Sequence, residues 1–111
     1  MKARALLLPV LVAAVFLSAC TSVRIANIKS DPNQFRNKTV RVNGKVTNSF
    51  GVLSMGFYEI EDSTGKIFVV SNQGVPSRGA DVRVEGSVFS GAVVGGQALG
   101  IAIRESKHTV R

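Results

Sequence analysis

The sequence predicts an all-β fold, a small and sharply curved barrel of five strands. Residues 40–46 (VRVNGKV) alternate valine with polar residues, and residues 82–88 (VRVEGSV) repeat the pattern. This two-residue period is typical of a half-buried strand, and the interior glycines Gly44 and Gly86 indicate a bend or a close approach of another backbone. All eleven glycines follow residue 43 and tryptophan is absent, which favours a turn-rich β domain over a helical bundle.

The N-terminal segment has the pattern of a secretory signal. Lys2 and Arg4 precede an apolar run over residues 5–17, which is shorter than the roughly 20 apolar residues needed to cross a bilayer. The sequence Leu-Ser-Ala-Cys over residues 17–20 resembles the lipobox of bacterial lipoproteins. This resemblance implies a signal peptide over residues 1–19, a Cys20 that carries diacylglycerol and acyl chains such as palmitate, and a lipidated tether over residues 20–30. The alternative is an ordinary signal peptide that leaves Cys20 as a stray thiol, which is unusual in an oxidising compartment.

The same resemblance implies a location in the cell envelope. Thr21 stands where an aspartate would retain an enterobacterial lipoprotein at the inner membrane, so we expect the periplasmic face of the outer membrane. With Lys2 and Arg4 removed, twelve basic residues remain against seven acidic ones. Residues 24–45 contain six basic residues and only one acidic residue, Asp31. These cations form either a solvated face or an attachment to anionic headgroups or glycans; they are Arg24, Lys29, Arg36, Lys38, Arg41 and Lys45.

Secondary structure follows from local signals. Asp31 before Pro32 predicts a helical turn over Pro32–Phe35 that closes one end of the barrel with Ile28 and Phe35. Residues 62–65 (DSTG) supply the turn of a hairpin in which Asp62 opposes Gly65.

The hairpin register assigns its faces. It predicts a buried face of Tyr58, Ile60, Ile67 and Val69, and an outer face on which Phe57 and Phe68 accompany an ion pair between Glu61 and Lys66. Residues 71–80 are predicted as a loop and residues 91–96 as a glycine-rich hairpin tip without the lysine of a P-loop. A fifth strand follows, in which Leu99, Ile101 and Ile103 alternate with other residues, and residues 106–111 are predicted as a flexible tail.

Over residues 38–105 the chain resembles the OB-fold. The resemblance rests on the paired V-x-V-x-G-x-V segments, the hairpin over residues 58–69 and the Pro76-x-x-Gly79 passage before the fourth strand. More narrowly, the chain is similar to small bacterial envelope OB-fold domains of the anticodon-binding type. The resemblance implies an OB-fold domain over residues 31–105, a partly open five-stranded Greek-key barrel whose binding surface is the outer face of strands two and three.

On that face we predict a binding site for a partner protein or an anionic envelope polymer, formed by Arg41, Lys45, Met55, Phe57, Glu59 and Phe68. One alternative is a carrier that holds a small or cationic ligand with Glu59, Glu61 and Asp62. A second alternative is a structural envelope lipoprotein without a ligand. Nucleic acid is a less favoured ligand, because the carboxylates of Glu59 and Glu61 lie among the aromatic residues and would repel phosphates.

We predict no catalytic, cofactor or metal site and no enzyme activity. One histidine and one lipidated cysteine are too few for a zinc or thiol-histidine site, and no serine lies in a nucleophile motif. The periplasmic haem chaperone of cytochrome c maturation shares the predicted fold and compartment and carries a reactive histidine after its last strand. His108 is the residue to compare, but the resemblance extends no further than His108, Gly74 and Pro76, so haem is not expected.

Overall fold

The computed structural model describes residues 22–52, 55–94 and 96–111. The predicted signal peptide and Cys20 therefore lie outside the described residues. Two short helices precede five strands: α1 (Ile25–Ser30), α2 (Pro32–Phe35), β1 (Thr39–Val52), β2 (Met55–Asp62), β3 (Gly65–Ser71), β4 (Asp81–Val94) and β5 (Gln97–Val110). Among the described residues, no helix has the length and apolar character that crossing a membrane requires.

The strands close into one barrel in the order β1-β2-β3-β5-β4. β3 and β5 run parallel, and the other paired strands of the described residues are antiparallel. The two valine-rich segments pair directly, with Val42 opposite Val84 and Gly44 opposite Val82. The predicted five-stranded barrel is confirmed, and it is closed and not partly open.

The predicted close approaches at Gly44 and Gly86 are also confirmed. A β-carbon at Gly44 would lie 3.0 Å from the carbonyl oxygen of Glu61, and one at Gly86 would overlap the carbonyl oxygen of Arg104. The β4–β5 register also shifts between Glu85 and Gly86. These glycines let the strands curve tightly enough to close the barrel.

The hairpin of β2 and β3 has the predicted register, from Asp62 opposite Gly65 to Phe57 opposite Val70. Its predicted inner face is buried, and it joins a hydrophobic core made of Ile25, Ile28, Val40, Val42, Val46, Tyr58, Ile60, Ile67, Val69, Val82, Val84, Val88 and Ile103. Glu61 and Lys66 are opposite each other, but the predicted ion pair between them is wrong, since the described ion pairs do not include it.

The end of the barrel is closed by both helices. α2 has its predicted bounds, Ile28 is fully buried, and Phe35 packs against the core. The predicted tether over residues 20–30 is wrong from Val23 onward, because the Val23 amide donates to the Arg41 carbonyl at 2.8 Å and α1 packs into the barrel. No local signal predicts α1, since its N-cap, Arg24, makes no side-chain capping bond.

The predicted flexible tail over residues 106–111 is wrong as well. β5 continues to Val110, which lies opposite Val82 of β4, and the Arg111 amide donates to the Asp81 carbonyl at 2.8 Å. The polar composition of this segment concealed a strand, and the inward position just before it is occupied by Glu105 and not by an apolar residue.

Candidate functional site

The outer surface of β1, β2 and β3 carries a row of aromatic and apolar side chains, which we call the aromatic face: Phe50, Met55, Phe57 and Phe68. The Phe57 ring meets the Phe68 ring edge-on at 5.9 Å between centroids, as cross-strand neighbours do. It also stacks on the Phe50 ring, with centroids 4.8 Å apart. Phe50 was not among the predicted site residues, although it lies directly opposite Phe57.

The aromatic face is partly a structural surface. Phe57 and Phe68 pack against a second hydrophobic cluster formed by Ala92, Leu99 and Ala102 of the β4–β5 hairpin, and both rings are half-buried. By contrast, Phe50 is 50% exposed and Met55 is 60% exposed. The part of the aromatic face that a partner can reach is therefore centred on Phe50 and Met55. Phe57 and Phe68 lie deeper, between this part and the second hydrophobic cluster.

Glu59 lies on this outer side of the sheet, opposite Phe68. Its Oε1 accepts hydrogen bonds from the Thr47 hydroxyl at 2.8 Å and from the Asn48 side-chain amide at 3.2 Å. Both donors belong to β1, at the point where the β1–β2 register shifts. The carboxylate is thus held by its neighbours in the sheet.

The structure does not bring Arg41 and Lys45 to the aromatic face. Arg41 lies in the part of β1 that pairs with β4 and forms an ion pair with Glu85 at 3.6 Å. Lys45 lies where the two pairings of β1 meet, opposite Glu61 of β2 and opposite Asp81 of β4, with which it forms an ion pair at 3.8 Å. Phe50 lies further along β1, in the part that pairs with β2. The six predicted site residues therefore fall into two groups, because the bent β1 takes part in two different pairings.

The carboxylates of the predicted carrier site are also separated. Asp62 Oδ2 accepts from the Ile25 amide at 3.0 Å, and its Oδ1 accepts from the Thr64 amide at 2.7 Å and the Gly65 amide at 3.1 Å. Partial burial opposes ionisation, but the bonds from Thr64, Ile25 and Gly65 outweigh it and lower the pKa of Asp62. Asp62 and Glu61 line an open depression of about 630 Å³ that does not include Glu59.

A buried polar network, which was not predicted from the sequence, occupies the barrel interior. The Glu105 carboxylate, whose side chain has no exposed surface, accepts from the Tyr58 hydroxyl at 2.5 Å and lies 2.8 Å from the Ser71 hydroxyl. His108 Nδ1 lies 2.8 Å from the same carboxylate, and the His108 ring contacts the Tyr58 ring. Burial, followed by the hydrogen bond and charge of Glu105, raises the pKa of the Tyr58 phenol far above its usual value.

The sequence indicates this network only once β5 is known to continue past Ile103. Ile103 and Glu105 follow the same two-residue period, so a continued β5 places the carboxylate on the inner face. His108, the residue compared with the haem chaperone, is bonded within the domain and largely buried.

The chain matches no protein-family model and no curated protein sequence. Among solved structures it is similar to asparaginyl-tRNA synthetase from Pyrococcus horikoshii, with 26% identity and a TM-score of 0.61 over 80% of this chain and 22% of that chain. The same enzyme complexed with asparaginyl-adenylate gives 25% identity and a TM-score of 0.63 over 82% and 22%. A third similar structure is OBody AM3L09 bound to hen egg-white lysozyme, with 19% identity and a TM-score of 0.54 over 69% and 84%.

The closed five-stranded barrel and these neighbours establish the class of the domain, which is an OB-fold. The likeness to tRNA synthetases agrees with the predicted anticodon-binding type. This chain spans only about a fifth of the synthetase chains that it matches, namely 22% of each of the two Pyrococcus structures.

Proposed function

We propose that this protein is a lipid-anchored envelope module that binds a partner protein through the aromatic face. One observation carries the proposal: a stacked phenylalanine and a methionine, Phe50 and Met55, stand half or more exposed on the sheet surface. Exposed apolar side chains cost free energy in water, and aromatic residues and methionine are enriched at protein interfaces. Phe57, which itself packs against Phe68, stacks on Phe50 and so preorganises this ring for docking.

An anionic envelope polymer is less well supported as the ligand of this face. The cations proposed to bind it, Arg41 and Lys45, are each paired with an acid of β4. The fixed carboxylate of Glu59 also places negative charge on the aromatic side of the sheet. A polyanion would therefore meet repulsion where it needs attraction.

The carrier proposal loses support for a similar reason. Asp62 uses both carboxylate oxygens to hold α1 and the β2–β3 turn, and Glu59 is bonded to β1. A cationic ligand would have to displace these hydrogen bonds. Partner binding requires no such rearrangement.

The partner proposal is tested by site-specific photocrosslinking in intact cells of the native host. A photoreactive amino acid replaces Phe50, Met55 or Val110, the last being a control that is 56% exposed on β5. We expect positions 50 and 55 to yield the same protein adduct by mass spectrometry and position 110 to yield none. Adducts with RNA or polysaccharide would replace the proposal with one of its alternatives, and identical adducts from all three positions would remove the aromatic face as the site.

A matched pair of variants gives the quantitative test. Phe50→Ser combined with Met55→Ser is expected to abolish co-purification of the crosslinked protein, because both side chains are exposed and their loss spares the core. Val110→Ser should leave co-purification unchanged. Equal recovery of the partner with both variants would contradict the proposal.

The anchoring part of the proposal is tested separately, at Cys20. Mass spectrometry of the mature protein should find an N-terminal peptide that begins at Cys20 and carries acyl chains. Several chains, at about 0.8 kcal/mol for each buried methylene, suffice for stable membrane attachment. An unmodified thiol at Cys20 would refute anchoring and leave the aromatic face to be judged by the crosslinks. Fractionation of the envelope would then test the outer-membrane location expected from Thr21.

A further inference from the structure

The segment that leads into the barrel carries a concentration of exposed cations. Arg24, Lys29, Arg36 and Lys38 are all exposed, and Asp31 is the only acid between Ser22 and β1. Arg36 donates a hydrogen bond to the Ser90 hydroxyl at 3.5 Å, and the ion pairs of the described residues include none of these four cations. We call this set the basic surface.

The basic surface is fixed to the barrel. Ile25 and Ile28 of α1 are fully buried, and the first two amides of α1 donate to Asp62 Oδ2 and to the Thr64 hydroxyl, each at 3.0 Å. α2 follows directly and packs Phe35 against the core. The four cations therefore belong to a docked structural element, so that ordering them costs little conformational entropy when they bind a ligand.

Two further cations lie where the chain enters the barrel. The side-chain Nδ2 of Asn43 donates to the Ser22 hydroxyl at 3.3 Å, and Asn43 Oδ1 accepts from Arg83 at 3.3 Å and from Arg111 at 3.4 Å. Arg83 and Arg111 thus stand beside Ser22. They extend positive charge around the entry point of the chain.

The position of the entry point suggests what these cations face. Cys20 precedes Ser22 by two residues, and two residues of extended chain reach at most about 7 Å. This distance is shorter than the Debye length of about 8 Å at physiological ionic strength. If Cys20 is acylated, charges near Ser22 lie within one Debye length of the lipid surface, so salt screens their attraction to it only partly.

We propose that the basic surface docks on anionic lipid headgroups and so orients the domain on its membrane. This inference rests on the lipid anchoring proposed above, and it adds a second membrane contact made by the folded domain itself. Phosphate-bearing headgroups complement the charge of the surface, and cations beside a lipid anchor strengthen membrane attachment additively. The aromatic face is not involved.

Vesicle sedimentation tests the proposal on unacylated chain that starts at Thr21, which contains every described residue and both hydrophobic clusters. Vesicles contain phosphatidylcholine with or without 30% phosphatidylglycerol, a fraction chosen as about a third of the lipid so that the surface potential is substantial. We expect the protein to sediment with the anionic vesicles, to remain free with the neutral ones, and to dissociate as salt is added.

Two triple variants with the same change in net charge locate the surface. The first is Arg24→Gln, Lys29→Gln and Lys38→Gln, and the matched control is Lys66→Gln, Arg78→Gln and Lys107→Gln, three exposed positions that are not part of the basic surface. Each cation near the lipid surface contributes about fivefold to the partition coefficient. The first triple variant should therefore lower the partition coefficient roughly a hundredfold, and the control should lower it less than about fivefold. Circular dichroism verifies that both variants are folded.

Equal losses in the two triples would overturn the proposal, because they would show an effect of net charge alone. Absence of sedimentation with anionic vesicles would overturn it too. Since the assay uses unacylated protein, its outcome is independent of whether Cys20 is modified in cells. A failure of the basic surface and a failure of the proposed anchoring are therefore told apart.

Discussion

Removing the hydroxyl of Tyr58 is the sharpest test of the buried network. In Tyr58→Phe, Glu105 loses the donor that lies 2.5 Å from its Oε1, while its side chain remains without exposed surface. A hydrogen bond to a charged group contributes about 1.5–3 kcal/mol, and the side chain that accepts this one is fully buried. We therefore expect Tyr58→Phe to lower the free energy of unfolding by about 1.5–3 kcal/mol, measured by urea denaturation followed by circular dichroism.

The same loss should appear as a fall in melting temperature of roughly 6 to 24 °C for a domain of this size. Ser71→Ala removes the partner of the second carboxylate oxygen, and a double-mutant cycle with Tyr58→Phe should be non-additive because both act on Glu105. Ser106→Ala is the control, since its exposed hydroxyl donates to a backbone carbonyl and its loss should cost less than about 0.5 kcal/mol. If Tyr58→Phe cost no more than Ser106→Ala, the network would not stabilise the barrel.

Two more predictions concern the barrel. Tyr58 is the only tyrosine and tryptophan is absent, so phenolate absorbance reports this residue alone; because its pKa is raised on folding, its contribution to stability is complete below about pH 10 and falls by about 1.4 kcal/mol per pH unit above it. Phenolate should appear only as the protein unfolds, and titration near pH 10 with an intact circular dichroism spectrum would contradict this. Gly86→Ala should cost about 1–3 kcal/mol in urea denaturation because its β-carbon overlaps the Arg104 carbonyl. Gly65→Ala, whose β-carbon would lie 3.5 Å from the Ile25 side chain, is the control, and equal losses would show that Gly86 is not needed for closure.

The parts of the fold that local signals specify were predictable. The Asp62 turn and the alternation of β2 and β3 fixed both register and burial, and the glycine of each valine-rich segment indicated the curvature. α1 was not predictable because its stability comes from Asp62 and Thr64, which are distant in sequence. The end of β5 was missed because pattern analysis assigns a carboxylate to solvent, and only the folded barrel supplies Tyr58 as its partner.

The candidate site was predictable to the same limited extent. Cross-strand register placed Phe57 beside Phe68, and it could have placed Phe50 opposite Phe57 had the β1–β2 pairing been derived. The cover over these rings comes from Leu99 of the β4–β5 hairpin, and no local pattern reveals that contact. Arg41 was misplaced because a strand that bends between two partners cannot be assigned one face throughout.

Five of the seven acidic residues are hydrogen-bonded or ion-paired within the domain, so few acids are left to balance the exposed cations of its surface. Glu59, Asp62 and Glu105 accept hydrogen bonds within the barrel, and Asp81 and Glu85 are paired with cations. Of the seven acids, these bonds and pairs leave Asp31 and Glu61. The excess of cations over acids is therefore expressed at the surface, where it is available to a negatively charged partner.

The two proposed surfaces lie at opposite ends of β2. Met55 begins this eight-residue strand, and Asp62 ends it and holds the start of α1. Seven steps of strand separate them by roughly 23 Å. A domain whose helices rest on the headgroups would thus hold Phe50 and Met55 away from the membrane. Membrane docking and partner binding can then occur together, so the triple variant of the basic surface should release the domain from vesicles without weakening its partner, whereas Phe50→Ser with Met55→Ser should do the reverse.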